Sequence, residues 1–206
     1  MKKSRGHLTR QKISKEGLKL LNEAGLKGLS MRKLGSRLGV EAMSLYNHVK
    51  NKADLLDSIH EELLQELQRR LSTPGPDWKE TVKHMARAFL GIMKEHPGSI
   101  PLFASRSAVA PGSLDFLDSA LGVLRHAGLS PRESLMTFQS FFTMIVGHAM
   151  FHYAPREKSS YADLSAYQQY PHLQALDLAE PIDPDKEFEF GLDVVLSGLE
   201  SRLSGS

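Results

Sequence analysis

Apolar residues return every three or four positions along almost the whole chain, and no stretch carries the sustained two-residue alternation, bounded by hairpin turns, that marks a strand. That periodicity points to an all-α protein of about nine or ten helices. Start and stop signals divide it. A first helix follows Thr9, carries Ile13, Gly17, Leu20, Leu21 and Ala24 on one face, and is expected to stop at Gly25. A second is expected over residues 30–38 and a short third over residues 41–47. Asn51 caps a fourth, with Asp54 at its third position and Leu56, Ile59, Leu63, Leu67 and Leu71 as its stripe.

Further along, Asp77 followed by Glu80 reads as a capping-box start for a fifth helix carrying Val82, Met85, Phe89 and Ile92, which His96-Pro97-Gly98 terminates. After a short sixth segment, Leu114, Leu117, Leu121 and Leu124 mark a seventh helix ended by Gly128. Ser130-Pro131-x-Glu133 opens the eighth with an N-cap serine, proline at the first position and glutamate at the third; it is expected to reach about Tyr153. Residues 154–181 have room for a short ninth. Asp183-Pro184 opens the last, with Phe188, Leu192, Val195 and Leu199 along one face.

Charge is distributed unevenly. Residues 1–52 hold thirteen Lys or Arg against three Asp or Glu, a net of +10, while residues 53–206 hold 13 against 21, a net of −8. A basic head on an acidic body suits a polyanion at the N-terminus, because phosphates neutralised by Lys or Arg release condensed counterions. A solvated basic face explains the same charge without a partner. With no cysteine, disulfides, thiol nucleophiles and thiolate metal sites are excluded. No apolar run approaches the roughly 20 residues that span a bilayer, and the start of the chain lacks a signal-peptide pattern, so a cytoplasmic protein without a membrane partner is expected.

Within residues 30–48 the spacing meets what two helices crossing at a tight turn require. Leu34, Leu38, Val40 and Leu45 can form a shared core. Gly35 is small where the helices must approach closely, and Gly39 offers the permissive backbone of the turn. Ser44, Tyr46, Asn47 and His48 then sit on or just after a helix short enough to enter a major groove, flanked by Arg32, Lys33, Lys50 and Lys52. A helical hairpin that binds no DNA remains the plain alternative.

Residues 29–57, opening Leu29-Ser30-Met31-Arg32-Lys33-Leu34-Gly35 and including Leu45-Tyr46-x-His48-Val49-Lys50-Asn51-Lys52, closely resemble the DNA-binding segment of the tetracycline repressor (TetR) family. The resemblance continues more weakly through Trp78, Phe89 and the eighth helix. It implies a DNA-binding domain at residues 1–50 and a ligand-binding and dimerisation domain at residues 51–206. It also implies that Arg32 contacts a base edge or phosphate, that Ser44, Tyr46 and His48 contact DNA from the third helix, and that Lys52 grips a phosphate. Ala42 and Met43 depart from the tetracycline repressor, so a different operator is expected.

For the body, the resemblance implies a homodimer in which the eighth and tenth helices pair with their symmetry mates. The eighth helix is apolar nearly all round and has to be covered on all sides. An effector pocket is expected among Phe89, Met93, Leu102, Phe103, Phe138 and Phe142, with Arg106 or His148 as polar members; plain core packing is the competing role of each. Gln68, Met85 and the neighbourhood of Leu102 and Phe103 stand where the tetracycline repressor holds its drug and magnesium. An uncharged, largely apolar or aromatic effector therefore suits the chain better.

His148 and His152 lie four apart on one helix, but Ala149 replaces the glutamate of the metalloprotease pattern. Packing is the reading there, with no metal, no cofactor and no catalytic residue expected. The sequence thus describes a ligand-responsive repressor on a pseudo-palindromic DNA operator. A helical-bundle enzyme or apolar-ligand carrier accounts for the aromatic body only, and a sequence-neutral DNA coat for the basic head only.

Overall fold

The computed structural model describes residues 7–71, 75–105, 114–155, 170–174 and 182–204, and among them there is no strand. The elements are α1 (Arg10–Gly28), α2 (Met31–Leu38), α3 (Ala42–Leu45), α4 (Lys52–Arg70), α5 (Trp78–Glu95), a 3₁₀ turn (Pro97–Ser99), α6 (Ile100–Ser105), α7 (Leu114–His126), α8 (Pro131–His152), α9 (Pro171–Gln174) and α10 (Pro184–Ser204).

Short polar side chains start these helices by satisfying first-turn amides that have no partner in the helix. Thr9 accepts from the Lys12 amide, Ser30 from Lys33, Asn51 from Asp54, and Asp77 from Glu80. At Ser130 the exchange is reciprocal, since the Glu133 carboxylate also accepts from the Ser130 amide. The expected box at Asp77 is one-sided: Glu80 turns along the helix towards Lys83 instead. The first helix breaks at Gly25, with φ of 65°, but a further turn runs on to Gly28, so Gly25 is a kink rather than the end. The third helix is shorter than expected, which leaves Tyr46 to His48 in the turn beyond it.

α1 packs along α4 and against the 3₁₀ turn, and α2 packs on α1 and α3. Where α1 and α4 meet, Ser14 Oγ donates to Ser58 Oγ at 2.7 Å in the core, and Gly17 lets Ile59 approach closely. α5, α7 and α8 pack on one another, α6 bridges α8 and α4, and α10 lies on α8. One continuous apolar core runs from Ile13 and Leu34 in the head, through Ile59, Leu63 and Leu67 of α4, to Phe89, Ile145 and Leu192. α4 is therefore shared by head and body, and it cannot move without repacking both.

Two stripes differ from expectation. On α7 the buried residues are Phe116, Ala120 and Leu124, while Leu114 is exposed and Leu117 and Leu121 are half-buried. The leucines form a neighbouring helical row, and the Phe116 ring fills the space beside Phe89 and Phe138 that they cannot reach. On α10, Leu196 is buried, whereas Val195 turns outward with Phe190 and Val194. The eighth helix is not covered on all sides within the chain: Leu135, Met136, Met150 and Phe151 are exposed.

Candidate functional site

In the head, the turn between α2 and α3 is as tight as its glycines suggest. Gly39 adopts φ of 67°, a left-handed conformation that most side chains resist, and its amide bonds back to the end of α2. A Cβ on Gly35 would stand 2.9 Å from the Val40 carbonyl oxygen and 3.1 Å from the Ala42 amide, both backbone atoms. Leu34 and Leu45 are fully buried between the helices, with Leu38 and Val40 packed at the edge. Burying these side chains turns Arg32 and Tyr46 into solvent, with Ser44 and His48 half-exposed. Arg32 and Tyr46 make no hydrogen bond or ion pair to any described residue and are free to meet a ligand.

Lys52 is exposed, but its ammonium donates to the Leu26 carbonyl at 2.9 Å. A phosphate at that position has to take the ammonium from a neutral acceptor, which a charged oxygen does readily. The exit from α3 is held by a second clamp. Asp54 accepts two bonds from the Arg10 guanidinium, at 2.7 and 3.1 Å, and a third from the Lys50 amide at 2.7 Å, while Arg10 also donates to the His48 carbonyl at 3.2 Å. Those bonds, led by Arg10, hold the Asp54 carboxyl down from 3.8 to about 2. A depressed carboxyl contributes stability above its unfolded value, and that contribution is lost as pH falls from 3.8 through about 2. Asp54→Asn is expected to cost about 1–2 kcal/mol at neutral pH in urea unfolding, with the gap from the parent closing across that acid window.

In the body, Phe89, Phe138 and Phe142 line an apolar cavity between α5, α7 and α8, together with Val82, Met85, Ala86, Phe116, Ala120, Leu124, Phe141 and Ile145. Phe89 and Phe142 stack at 5.5 Å. The space left among them is about 50 Å³, well below the roughly 300–1,000 Å³ of typical ligand sites. An occupant of effector size must part the helices or displace the rings.

The other residues expected at the pocket lie elsewhere. Met93 on α5 and Leu102 and Phe103 on α6 are sealed in the core, and α6 packs against α8 and α4 rather than lining the cavity. Phe103 makes edge contacts with Phe89 at 5.1 Å and with His60 at 4.9 Å, and so joins the cavity wall to α4. Burial pushes the His60 imidazole down to about 4, so it is neutral at physiological pH. His148 lies in the groove between α8 and α10, and Arg106 lies outside the described residues. Phe116 and Ala120 lie on α7 beside the leucine row that periodicity picks out, and Phe141 and Ile145 belong to the eighth helix, where apolar residues on nearly every side give no single face to single out.

Head and body also meet through polar contacts beside the 3₁₀ turn. Asn22 on α1 bonds His96 Nδ1 at 3.0 Å, His96 faces Glu66 of α4 at 3.7 Å, and Arg70 bridges Glu66 and Glu95. An exposed helix-turn-helix, joined through a shared helix to a body with an apolar cavity, is the build of a DNA-binding regulator that answers to a ligand.

The chain belongs to the TetR family of transcriptional regulators. Residues 13–59 match the family described as bacterial regulatory proteins, tetR family, and residues 72–203 match the tetracyclin repressor-like C-terminal domain. It is 30% identical to the class C tetracycline repressor protein of Escherichia coli, over 94% of this chain and 91% of that one. Among solved structures, a possible TetR family regulator of Streptomyces coelicolor superposes with a TM-score of 0.81 at 32% identity, covering 93% of this chain and 98% of that one. ActR of the same organism, in complex with actinorhodin, superposes at 0.77 with 26% identity, covering 96% and 99%. No described helix is long and apolar enough to cross a membrane.

Proposed function

We propose that this chain is a transcriptional repressor that binds a pseudo-palindromic operator as a homodimer, acts in the cytoplasm, carries out no catalysis, and is released by an uncharged, largely apolar or aromatic effector. The carrying observation is the exposed pair Arg32 and Tyr46 on a glycine-locked helix-turn-helix, on a head whose core continues through α4 into the cavity-bearing body. Residues 1–50 act as the reading head and residues 51–206 as the sensing and dimerising body. Arg32, Ser44, Tyr46, His48 and Lys52 are the DNA contacts of this reading.

The dimer rests on the uncovered faces of α8 and α10, where Met136, Met150, Phe151, Phe190 and Val194 stand in solvent. Such a face, contiguous on two adjacent helices, is stabilised by a second copy in a four-helix bundle. Sedimentation at micromolar concentration is expected to show a dimer, and a monomer there contradicts this assembly.

The effector reading rests on a wall that offers aromatic and aliphatic surface with almost no polar partner. ActR, a relative, is seen with actinorhodin. An occupant that pushes Phe89 also pushes Phe103, and through it α4 and the turn that abuts α1. Release follows only if the effector binds the DNA-free form more tightly. Ala120→Leu, which fills the cavity, is expected to cost about 1–3 kcal/mol of stability. It should abolish the thermal-midpoint shift given by those uncharged aromatic compounds that stabilise the parent. Unaltered shifts in the variant place the effector elsewhere. A mobility-shift assay on the DNA upstream of the chain's own gene tests the reading as a whole: a discrete complex that survives excess unrelated duplex supports it, and a smear abolished by competitor supports a sequence-neutral coat.

A further inference from the structure

In the groove between α8 and α10, His148 and His152 face Glu187, which the last helix brings in from 35 residues further along the chain than His152. Their potential ligand atoms, two imidazole nitrogens and one carboxylate oxygen, all lie within 4.8 Å of one another. Nε2 of His148 and Nε2 of His152 are buried without a hydrogen bond, although the latter is 3.1 Å from the Glu187 carboxylate. An unsatisfied buried nitrogen is costly, and two side by side on one helix face call for a shared partner. Asp185, nearby, is already engaged by Lys94 at 2.7 Å and by the Tyr153 hydroxyl at 2.9 Å, so the acceptor left for an ion is Glu187.

We propose that His148, His152 and Glu187 bind a divalent transition-metal ion of the zinc type, two imidazoles from α8 and one carboxylate from α10, with the fourth position open to water. Two imidazoles and a carboxylate are a common zinc donor set. Tetrahedral bonds of the usual length put ligand atoms about 3.3 Å apart, a closure that small side-chain rotations supply. The glutamate that the histidine pair lacks in sequence, where Ala149 stands, is supplied by the fold. Because the ligands come from two helices, the ion staples α10 to α8 beside the exposed Phe151 and Phe190. The site is complete within one chain, so metal binding and operator binding stand or fall separately.

The test is titration of the metal-free full chain with Zn²⁺, followed by calorimetry, and with Co²⁺, followed by its visible absorption. Saturation at one ion per chain, intense cobalt bands of a four-coordinate site, and a raised thermal midpoint are expected. His148→Ala and His152→Ala should each weaken binding roughly a hundred-fold, and Glu187→Gln, on a partly exposed side chain that leaves folding intact, roughly ten-fold. His126→Ala, on exposed α7 surface, controls for adventitious histidine binding and should change nothing. Absence of saturable binding to the parent overturns the proposal, as does an affinity that stays within about two-fold in both His148→Ala and Glu187→Gln.

Discussion

Gly98→Ala is expected to lower stability by about 3 kcal/mol and the thermal midpoint by roughly 6–12 °C. Gly98 lies buried in the 3₁₀ turn, pressed against the middle of α1. A Cβ there would overlap the Leu21 carbonyl oxygen and stand 2.7 Å from both the Leu21 carbonyl carbon and Asn22 Cα. All three are backbone atoms of a helix, so no rotamer change relieves the overlap. The turn must lift away, and the Asn22 bond to His96 goes with it. Scanning calorimetry reads the loss. Gly122→Ala is the control: its added carbon meets nothing within 4 Å, and a helical glycine replaced by alanine should be neutral or mildly stabilising. Since this contact joins the body to the head, the variant should also respond less to effector than the parent. A Gly98→Ala protein as stable as the parent would mean that the turn does not press on α1.

The double variant Arg32→Ala, Tyr46→Ala is expected to bind operator several hundred-fold more weakly, a loss of about 3–4 kcal/mol, with its thermal midpoint unchanged. Both side chains are exposed and make no hydrogen bond or ion pair to a described residue, so truncation removes intermolecular contacts and little else. Arg32 offers a bidentate fork suited to guanine or phosphate, and Tyr46, at the end of α3, offers a hydroxyl and an aromatic face. Fluorescence anisotropy at fixed salt gives the ratio. Unchanged affinity in a folded double variant sinks the DNA face proposed for α2 and α3.

Local signals made the head legible before the structure. A left-handed turn needs a residue such as Gly39, close helix contact needs one such as Gly35, and helix starts need acceptors such as Ser30, Asn51 and Ser130. Each of those requirements is met within a few residues of chain. The body was legible in outline only. On α7, two apolar rows lie side by side, and only the position of Phe89 on another helix decides that Phe116 and Ala120 face inward. Leu102 and Phe103 have the composition of a pocket wall, yet the packing of α6 against α4 and α8 seals them into the core, and Met93 on α5 is buried there too. His148 and His152 read as packing because their carboxylate neighbour comes from α10. The uncovered side of α8 likewise shows only when the other helices of the chain have been placed against it.

Sequence-selective operator binding by this head is what separates a regulator from a DNA coat. The most direct measurement is the ratio of affinities for the site footprinted upstream of the chain's own gene and for an unrelated duplex of equal length, at one physiological salt concentration. A ratio of at least about 10³ is expected, with two protected half-sites centred roughly 34–36 Å apart. A ratio near one, with protection spread evenly along the DNA, contradicts it.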